Sequence, residues 1–492
     1  MPPFGVMLKR YRLDAGLTHE SLAERAGLSA RAISDLERGV TQAPRRDTLK
    51  LLADALRLTD DQRAALEAAA RPRPAPSERP RPEHNLPAQL TSFVGREREI
   101  GLVLDLLRRP DTRLVTLTGP GGTGKTRLAI RVAEELLDDV PDGIFFVALA
   151  PVADAPTIIQ ALAQALGVGG GPGHALEAGV ADYLRDRRSL LLLDNFEHLL
   201  SGAPLVSRLL GRCRHVKVLV TSRSALRLSG EQEFPLEPLP LPDLRRPPPA
   251  SELAQNAAVA LFVERAARAR PGFALSADNA AALVGICVRL DGLPLAIELA
   301  AARVKLLPPP ALLARLEGSS ALRLLTDGAR DLPARQQTLR ATIGWSYDLL
   351  APAEQRLFAR VAIFVGGCDL EAAEAVCGDG PPEGDAAAPL APLDIEVIDG
   401  VASLVDKSLL RQEEGVGDEP RFAMLDTIRE FGLERLAAAG EAAELRARHA
   451  RHYLAMVEAG GPFLLASELR QRRLAAEQDN VRTALRWLVE QG

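Results

Sequence analysis

The chain has 492 residues, which is enough for roughly two to four domains of ordinary size. Hydrophobic residues make up 47% and charged residues 25% of it, a composition that excludes a fully disordered chain. The 65 acidic residues outnumber the 60 Lys and Arg, and the net charge of −5 excludes a polybasic protein that coats nucleic acid. Any contact with DNA must therefore be local.

The cysteines and the hydropathy pattern indicate a reducing compartment. Cys213, Cys287, Cys368 and Cys377 are scattered and form no CxxC pair, so we expect buried thiols rather than a disulfide framework or a zinc site. No apolar run approaches the ~20 residues of a membrane helix, and residues 1–12 lack the core of a signal peptide. We therefore expect a cytoplasmic protein that has no membrane partner.

Proline-rich stretches divide the chain into segments. Residues 71–82 hold five prolines and no large apolar side chain, which is typical of an extended linker. Two further loose stretches run from 235 to 249 and from 378 to 392. We predict a helical module at 1–70, a linker at 71–85, an α/β core at 86–235, a helical segment at 251–330, a mixed segment at 335–437 and a helical tail at 438–492.

Residues 1–70 show the pattern of a helix-turn-helix. Residues 4–13 are amphipathic, Thr18 is a good N-cap for a second helix that ends before Gly27, and Ser29 caps a third that ends at Gly39. In this motif the start of the third helix contacts base edges, while the cap of the second lies against phosphate. We predict DNA contacts from Thr18, His19, Ser29, Ala30, Arg31, Ser34, Asp35 and Arg38.

The stretch from Leu17 to Gly39 resembles the phage-repressor-type (Cro-like) helix-turn-helix family. The resemblance implies a domain that binds double-stranded DNA. Its sequence preference would rest on Arg31, because an arginine can address guanine. His19 departs from the family, which commonly has a phosphate-contacting glutamine at this place. The alternative for residues 1–70 is a small helical domain that binds another protein.

A phosphate-binding loop follows the first strand of the core. Residues 113–118 are apolar and β-branched, as in a buried strand, and an amphipathic helix begins after residue 126. Glycines in such a loop let backbone N–H groups surround phosphate oxygens, a lysine binds the β- and γ-phosphates, and a final hydroxyl holds Mg²⁺. We predict a nucleotide site formed by Gly119, Pro120, Gly121, Gly122, Thr123, Gly124, Lys125 and Thr126.

Two later strands bring further residues to the same edge of the sheet. The strand at 189–194 ends in Asp194, which can hold Mg²⁺ together with Thr126. The strand at 215–220 is followed by Arg223, which can sense a γ-phosphate. With another strand at 145–149, strands that alternate with helices predict an α/β domain with a mostly parallel sheet. The alternatives are an incidental acid and a surface arginine.

The order of these motifs resembles the STAND class of signal-transduction P-loop NTPases, of the NB-ARC type. The resemblance implies ATP or ADP with Mg²⁺ as cofactor, Val94 and Arg96 in a loop that closes over adenine, and Pro294 near the base. It also implies a winged-helix domain that folds over the site and holds ADP in. The matching motifs are Phe93-Val-Gly-Arg96, the loop at 119–126, Leu190–Asp194, Thr221-Ser-Arg223 and Gly292-Leu-Pro-Leu295.

Residues 335–437 suit the role of the winged-helix domain. We predict helices at 339–350, 353–364 and 395–404, then strands near 408–411 and 421–423 around a turn. This turn is acidic, which favours a nucleotide lid over a second DNA reader; its acids are Glu413, Glu414, Asp418 and Glu419. Leu425 stands where the family has a histidine that contacts ADP. The resemblance therefore implies a weaker ADP contact or another group in its place.

Position 195 bears on catalysis. Many relatives have a second acid after Asp194, whereas this chain has Asn195, whose amide cannot accept a proton from an attacking water as a carboxylate does. Glu197 and His198 follow closely, with unknown reach. We place Asp194, Asn195 and Arg223 at the catalytic position. We expect at most a slow ATPase that acts as a switch, and the rival interpretation is a fast ATP-hydrolysing motor.

Residues 440–460 and 466–490 are amphipathic helices that resemble the start of the tetratricopeptide arrays attached to such regulators. About one and a half helical pairs are present, and no 34-residue period is visible. The tail is therefore either a shortened array that receives an unknown signal or a helical hairpin that completes the preceding domain.

Together these features predict a nucleotide-switched transcriptional regulator. Its domains would be an all-α helix-turn-helix, an α/β P-loop NTPase, a helical domain, a winged helix and a helical tail. ADP would hold the protein closed, and a signal with ATP would open it into an oligomer that presents several DNA-binding modules. The alternative is an immune-like sensor of the same class, whose N-terminal domain recruits a protein partner instead of reading an operator.

Overall fold

The computed structural model divides into two compact units, Met1–Arg81 and Pro82–Gly492. The predicted linker at 71–82, together with Arg38 and Asp418, lies outside the described residues. The structure describes residues 4–37, 46–59, 62–63, 66, 69–70, 83–169, 174–242, 250–318, 321–325, 337–379, 390–417, 419–458 and 468–491.

The N-terminal unit is helical, as predicted. The Thr18 hydroxyl accepts from the N–H of Ser21 at 3.2 Å, and Gly27 ends the second helix in the left-handed conformation that glycine favours. Leu22 and Ile33 lie in a shared apolar core. The helices are α1 (Phe4–Asp14), α2 (His19–Ala26), α3 (Ala30–Glu37) and α4 (Arg46–Ala55).

The second unit begins with a parallel sheet in the order β2-β3-β4-β1-β5. Four of its strands are the apolar runs predicted from the sequence. The fifth was not predicted, because an edge strand paired only with β1 needs no apolar pattern, and it reads Glu-Gln-Glu-Phe-Pro. The strands are β1 (Leu114–Thr118), β2 (Ile144–Ala148), β3 (Leu190–Asp194), β4 (Lys217–Thr221) and β5 (Glu231–Pro235).

Helices cover both faces of this sheet. Side chains alternate along β1, so Leu114 joins the apolar cluster on one face while Val115 and Leu117 join the other. The first two of the five helices lie on the Val115 side, and the other three lie on the Leu114 side. They are α5 (Glu97–Arg108), α6 (Lys125–Glu135), α7 (Ile158–Ala165), α8 (His174–Leu184) and α9 (Ala203–Arg212). Because the strands are parallel, residues that follow them meet at one edge.

A helical segment follows the sheet and leads to the segment 337–437. Its helices are α10 (Ala250–Leu253), α11 (Ala257–Ala269), α12 (Ala277–Arg289), α13 (Pro294–Ala302), α14 (Pro309–Gly318) and α15 (Ala321–Leu324). Segment 337–437 contains α16 (Leu339–Asp348), α17 (Pro352–Val361), α18 (Leu370–Cys377), α19 (Val397–Asp406), the antiparallel strands β6 (Arg411–Glu414) and β7 (Pro420–Ala423), and α20 (Asp426–Ala438).

Segment 337–437 departs from the sequence prediction in two places. Helix α18 was not predicted; Asp369 starts it by accepting from the N–H of Ala372 at 2.8 Å. The first strand begins at Arg411 rather than near Ser408, because Ser408 has a left-handed φ of 55° that no strand adopts. Within the described residues, four helices therefore precede the hairpin instead of three.

The tail packs on the segment before it. Tyr453 and Ala484 belong to the same apolar core as the helical segment and segment 337–437. Asn480 accepts from the N–H of Val365 at 2.7 Å and donates to the carbonyl of Gly367 at 2.9 Å. The contacts are those of a hairpin that extends the preceding domain. The tail helices are α21 (Ala442–Glu458), α22 (Glu468–Ala476) and α23 (Gln478–Gln491).

The cysteines are free and buried, as the sequence predicted. Burial raises the pKa of the Cys287 and Cys377 thiols to about 12, so these groups stay protonated and unreactive. In the part of the chain that the structure describes, no helix is both long and apolar enough to cross a membrane.

Candidate nucleotide-binding site

The predicted phosphate loop connects β1 to α6. Gly119, Gly122 and Gly124 have φ values of 142°, 86° and 92°, which strain any residue with a side chain. The Thr123 hydroxyl donates to the Pro120 carbonyl at 2.9 Å and closes the turn. Helix α6 begins directly after it, so N–H groups without intrahelical partners lie at the loop. This arrangement suits an anion such as a phosphate.

Lys125 lies at the mouth of the loop. Its ammonium donates to the carbonyls of Gly119 at 2.7 Å and Pro120 at 3.0 Å. The pKa of Lys125 is lowered to about 8, chiefly by burial and also by the nearby charge of Arg223, whereas Glu197 and Asp194 oppose the shift. A phosphate in the loop would supply the negative charge that favours the protonated form.

Thr126 and Asp194, the side chains predicted to hold Mg²⁺, lie within hydrogen-bond distance of each other. The Thr126 hydroxyl donates to Asp194 at 2.6 Å, and the Thr221 hydroxyl donates to the same carboxylate oxygen at 2.7 Å. A hydroxyl and a carboxylate are hard oxygen ligands that fit Mg²⁺. Among the described residues no three His, Cys, Asp or Glu side chains cluster in a metal-binding geometry. Mg²⁺ would therefore be held by Thr126, Asp194 and nucleotide phosphates together.

Arg223 is buried beside the phosphate loop. A Cβ built on Gly121 would lie 3.3 Å from its terminal nitrogen Nη2. Its Nε donates to the Glu197 carboxylate at 3.1 Å, and its Nη1 donates to the Thr342 carbonyl in α16 at 3.2 Å. Arg223 is thus not a surface arginine, and it connects the loop, the residues after β3 and segment 337–437.

Asn195 follows Asp194 in a left-handed conformation, with φ 68°. Its N–H donates to the Thr221 hydroxyl at 2.9 Å, and its amide nitrogen lies 3.4 Å from Nδ1 of His198. The other ring nitrogen of His198 lies 2.9 Å from the Val152 carbonyl, and the ring meets Trp345 of α16 edge to face. The residues after β3 therefore contact segment 337–437 through both Glu197, by way of Arg223, and His198.

Of the residues predicted to lie near adenine, Arg96 is bonded to the phosphate loop. Arg96 donates to the Thr123 carbonyl at 3.2 Å, and the N–H of Leu295, next to Pro294, donates to the Gly122 carbonyl at 3.2 Å. Pro294 starts α13, and Val94 packs against the core of the helical segment. The helical segment is thus bonded to the phosphate loop immediately beside Pro294.

Helix α16 covers the phosphate loop. A Cβ built on Gly121 would lie only 2.6 Å from Cγ2 of Thr342, which leaves no room for a methyl group. The Ser408 hydroxyl donates to the backbone carbonyl of Arg223 at 2.6 Å. Residues 337–437 are therefore called the lid segment below.

The helix-turn-helix positions divide into exposed and engaged side chains. Arg31 is 90% exposed and lies 3.9 Å from Asp35, whereas Ala30, predicted as a base contact, packs partly against the core.

His19 lies 2.9 Å from Glu37, which also accepts from Arg12. Burial alone would raise the pKa of Glu37, but these bonds lower it. One ring nitrogen of His19 is thus engaged within the domain. Among the other candidates, Thr18 and Ser29 act as helix caps, and Ser34 is half-buried.

Comparison with known proteins supports this architecture. Residues 3–66 match the model of a helix-turn-helix domain, and residues 108–234 match that of an AAA domain. The chain is 41% identical over 384 residues to a Mycobacterium tuberculosis protein provisionally named an HTH-type transcriptional regulator, covering 77% of this chain and 40% of that protein. An uncharacterized protein of the same organism is 38% identical, with 75% of this chain and 88% of that protein covered. The chain belongs to the same family as this uncharacterized protein, and it combines a helix-turn-helix domain with a P-loop domain of the AAA type.

Other members of the comparison are more distant. Regulatory protein AfsR of Streptomyces coelicolor is 30% identical over 429 residues, which cover 82% of this chain and 38% of AfsR. The chain thus spans about two fifths of the length of several curated relatives that it matches. A solved STAND protein with a tetratricopeptide repeat sensor, from Pyrococcus horikoshii, is also similar. The match covers 83% of this chain and 55% of the other chain, with 17% identity and a TM-score of 0.31.

The sequence did not predict that Glu197 pairs with Arg223. Its carboxylate is buried and paired with Arg223, 26 positions later in the chain. The available signal was the sheet order, because residues after β3 and β4 meet at one edge when these strands are neighbours. The sequence placed both strands in the sheet but did not fix their adjacency.

Proposed function

We propose that this chain is an ATP/ADP-gated, signal-responsive transcriptional regulator that binds double-stranded DNA through residues 1–70. Its P-loop domain binds the nucleotide with Mg²⁺, and the lid segment, acting as a winged-helix lid, closes over the phosphates in the ADP form. The observation that carries the proposal is the contact of α16 with the phosphate loop. A methyl group on Gly121 would lie only 2.6 Å from Cγ2 of Thr342, so a larger group at this point requires Thr342 of the lid segment to move.

Arg223 supports the gating because it has partners on both sides of this contact. In the closed arrangement it is bonded to Glu197 and to the Thr342 carbonyl. A guanidinium binds phosphate oxygens more strongly than it binds a neutral carbonyl, since the hydrogen bonds are charge-assisted. A third phosphate would therefore compete with the lid segment for Arg223. Two phosphates that leave Arg223 undisturbed would leave the lid segment in place.

The helix-turn-helix and the relatives support DNA as the partner. Helix α3 presents the exposed Arg31 at its start, where this motif contacts base edges. A relative that is 41% identical to this chain over 384 residues is provisionally named a transcriptional regulator. Self-association of the ATP form would bring several such modules to repeated sites and raise their effective concentration. The tail helices, which are bonded to the lid segment, would carry the signal to it.

The test compares ATP and ADP affinity in the parent and in Arg223→Gln by calorimetry. Glutamine keeps a donor toward Glu197 but removes the charge. We expect ATP to bind about tenfold more weakly, since a hydrogen bond to a charged group contributes ~1.5–3 kcal/mol, while ADP affinity stays the same. Arg208→Gln, which breaks an exposed ion pair with Glu177, is the control and should change neither affinity. Equal losses of ATP and ADP affinity in Arg223→Gln would refute the gating role.

A further inference from the structure

Helix α20 of the lid segment starts without a cap of its own. Its N-cap residue is Leu425, whose apolar side chain makes no capping hydrogen bond. The first N–H groups of a helix have no intrahelical partner and need an acceptor from elsewhere. Here the acceptor comes from the helical segment, 135 positions earlier in the chain.

Asp291 supplies that acceptor. One carboxylate oxygen accepts from the N–H of Asp426 at 3.0 Å. The other accepts from the N–H of Thr427 at 2.9 Å and from its hydroxyl at 2.8 Å. The negative charge also lies at the positive end of the α20 dipole. Arg289, two residues before, lies 3.3 Å from the Asp426 carboxylate and offsets the repulsion between Asp426 and Asp291.

The turn that holds Asp291 does not itself require an aspartate. Asp291 ends α12 in the left-handed conformation, with φ 54°, and Gly292 follows with φ 65°. Helices commonly end on glycine or asparagine in this conformation, because other residues are strained there. The carboxylate is therefore used for its contacts with α20 rather than for the turn.

The helix that follows this turn, α13, is bonded to the phosphate loop. Four residues after Asp291, the N–H of Leu295 donates to the Gly122 carbonyl at 3.2 Å, and the Leu295 side chain lies against Gly122. The Gly292 carbonyl accepts from Leu239, which fixes the turn to the chain that leaves β5. The turn at Asp291 thus contacts the lid segment, and the start of α13 directly after it contacts the phosphate loop.

We propose that Asp291 is a positioning residue that holds the lid segment over the phosphate loop by capping α20 from the helical segment. This inference rests on the proposed role of the lid segment. In this proposal the contact between Asp291 and α20 holds the lid segment closed, and a bound nucleotide adds its own contacts. Opening of the lid segment would break all three hydrogen bonds to Asp291 and expose the start of α20.

The first experiment measures the release rate of a fluorescent ADP analogue from the full chain. Asp291→Gly removes the carboxylate and suits the left-handed turn, so the variant should fold. We expect release about tenfold faster, because a capping carboxylate with three hydrogen bonds is lost. Asp291→Asn, which keeps one acceptor oxygen, should fall between this variant and the parent. A release rate in Asp291→Gly equal to that of the parent would overturn the proposal.

Asp369→Ala is the matched control. Asp369 also caps a helix of the lid segment with its carboxylate, but the helix, α18, is its direct neighbour in the chain. The variant should lower the melting temperature and leave analogue release unchanged. If Asp369→Ala accelerates release as much as Asp291→Gly, the effect is general loss of stability and the proposal is wrong.

A second experiment does not depend on nucleotide binding. Hydrogen exchange in the nucleotide-free parent and in Asp291→Gly should show faster exchange in the first turn of α20 and also in α16, which covers the phosphate loop. A cap with only local effect would change α20 alone, and that result would overturn the inference. If the parent binds no nucleotide but Asp291→Gly still accelerates exchange in both α20 and α16, the proposed function is refuted. The role of Asp291 in positioning the lid segment is then retained.

Discussion

Asn195 and Glu197 have different surroundings although only one residue separates them. The Glu197 carboxylate is buried and paired with the Arg223 guanidinium, which occupies it. The Asn195 amide faces His198 and cannot accept a proton from water. With Arg223 in its closed position, neither side chain can act as a general base. This arrangement accounts for the expectation of a slow switch.

Asn195→Asp should therefore raise the rate of ATP hydrolysis in a single turnover. Asp194, Thr126 and Lys125 stay in place, and aspartate tolerates the left-handed backbone at position 195. A well-placed general base contributes ~10²–10⁴-fold, so even poor alignment should give about a tenfold rise. Nucleotide affinity should change little, because no phosphate contact is added. The measurement is the rate of phosphate formation with enzyme in excess over ATP.

Asn195→Gly distinguishes the effect of the added carboxylate in Asn195→Asp from an effect of the backbone conformation at position 195. Glycine suits the φ of 68° and offers no base, so this variant should hydrolyse ATP as slowly as the parent. Fast hydrolysis in the parent, with no gain in Asn195→Asp, would contradict the slow-switch interpretation. Glu197, released from Arg223, would then be the base.

At the scale of elements, the sequence predicted what depends on neighbours in the chain. Apolar strands β1 to β4, the phosphate loop and the caps at Thr18 and Ser29 each have a local pattern, and the structure places them accordingly. Strand β5 is polar and pairs with β1 across more than a hundred residues, so no local pattern marks it. The contacts of Glu197 and Asp291 were not predicted for the same reason, because their partners are remote in sequence.

The tail helices contain a buried histidine that links their stability to pH. His449 in α21 is 2% exposed, packs against Phe364 and Tyr453, and lies 3.3 Å from the Asn480 side chain. The pKa of His449 is lowered to about 4, chiefly by burial and also by the nearby His452, whereas Asn480 and Glu477 oppose the shift. The folded tail therefore contains a neutral ring over the range in which an unfolded chain binds a proton.

We expect the free energy of unfolding of the tail to fall as pH decreases from about 6.5 to 4. The unfolded state binds the additional proton in this window, which costs up to ~1.4 kcal/mol per pH unit. His449→Gln keeps a donor toward Asn480 without a titrating group, so its stability should depend less on pH. The measurement is urea unfolding at pH 7, 6 and 5 in a Trp345→Phe background, where Trp487 of α23 is the only tryptophan.

His215→Gln is the control for this window. His215 is exposed, so its replacement should leave the pH dependence of the parent unchanged. If His449→Gln shows the same slope as the parent between pH 7 and 5, the loss of stability comes from other groups. The buried ring would then have no part in it.

At the scale of the whole molecule, the nucleotide site and the DNA-binding module belong to separate compact units. Under the proposed function the nucleotide acts on DNA binding through the number of modules that one assembly presents. A single helix-turn-helix module has limited affinity, whereas linked modules gain ~10²–10⁴-fold when all of them reach their sites. Sequence preference and nucleotide dependence are then separate properties of the molecule.

This separation gives the last prediction. The full chain with a non-hydrolysable ATP analogue should bind DNA with two copies of its preferred site at least about tenfold more tightly than DNA with one copy, because linked modules act together. With ADP the two DNAs should bind equally well per site. The preferred site comes from selection in a random DNA library, and affinities are measured at one salt concentration, since phosphate contacts make them salt-dependent.

Arg31→Ala distinguishes the two properties. Loss of a bidentate contact to guanine should reduce discrimination at one base pair by ~1–3 kcal/mol and leave the response to the ATP analogue intact. Arg10→Ala, an exposed arginine of α1 paired with Asp14, is the control and should keep the preferred sequence. A two-site preference that is the same with ADP and with the ATP analogue would contradict gating through assembly. Absence of any sequence preference in the parent would instead favour a protein partner for residues 1–70.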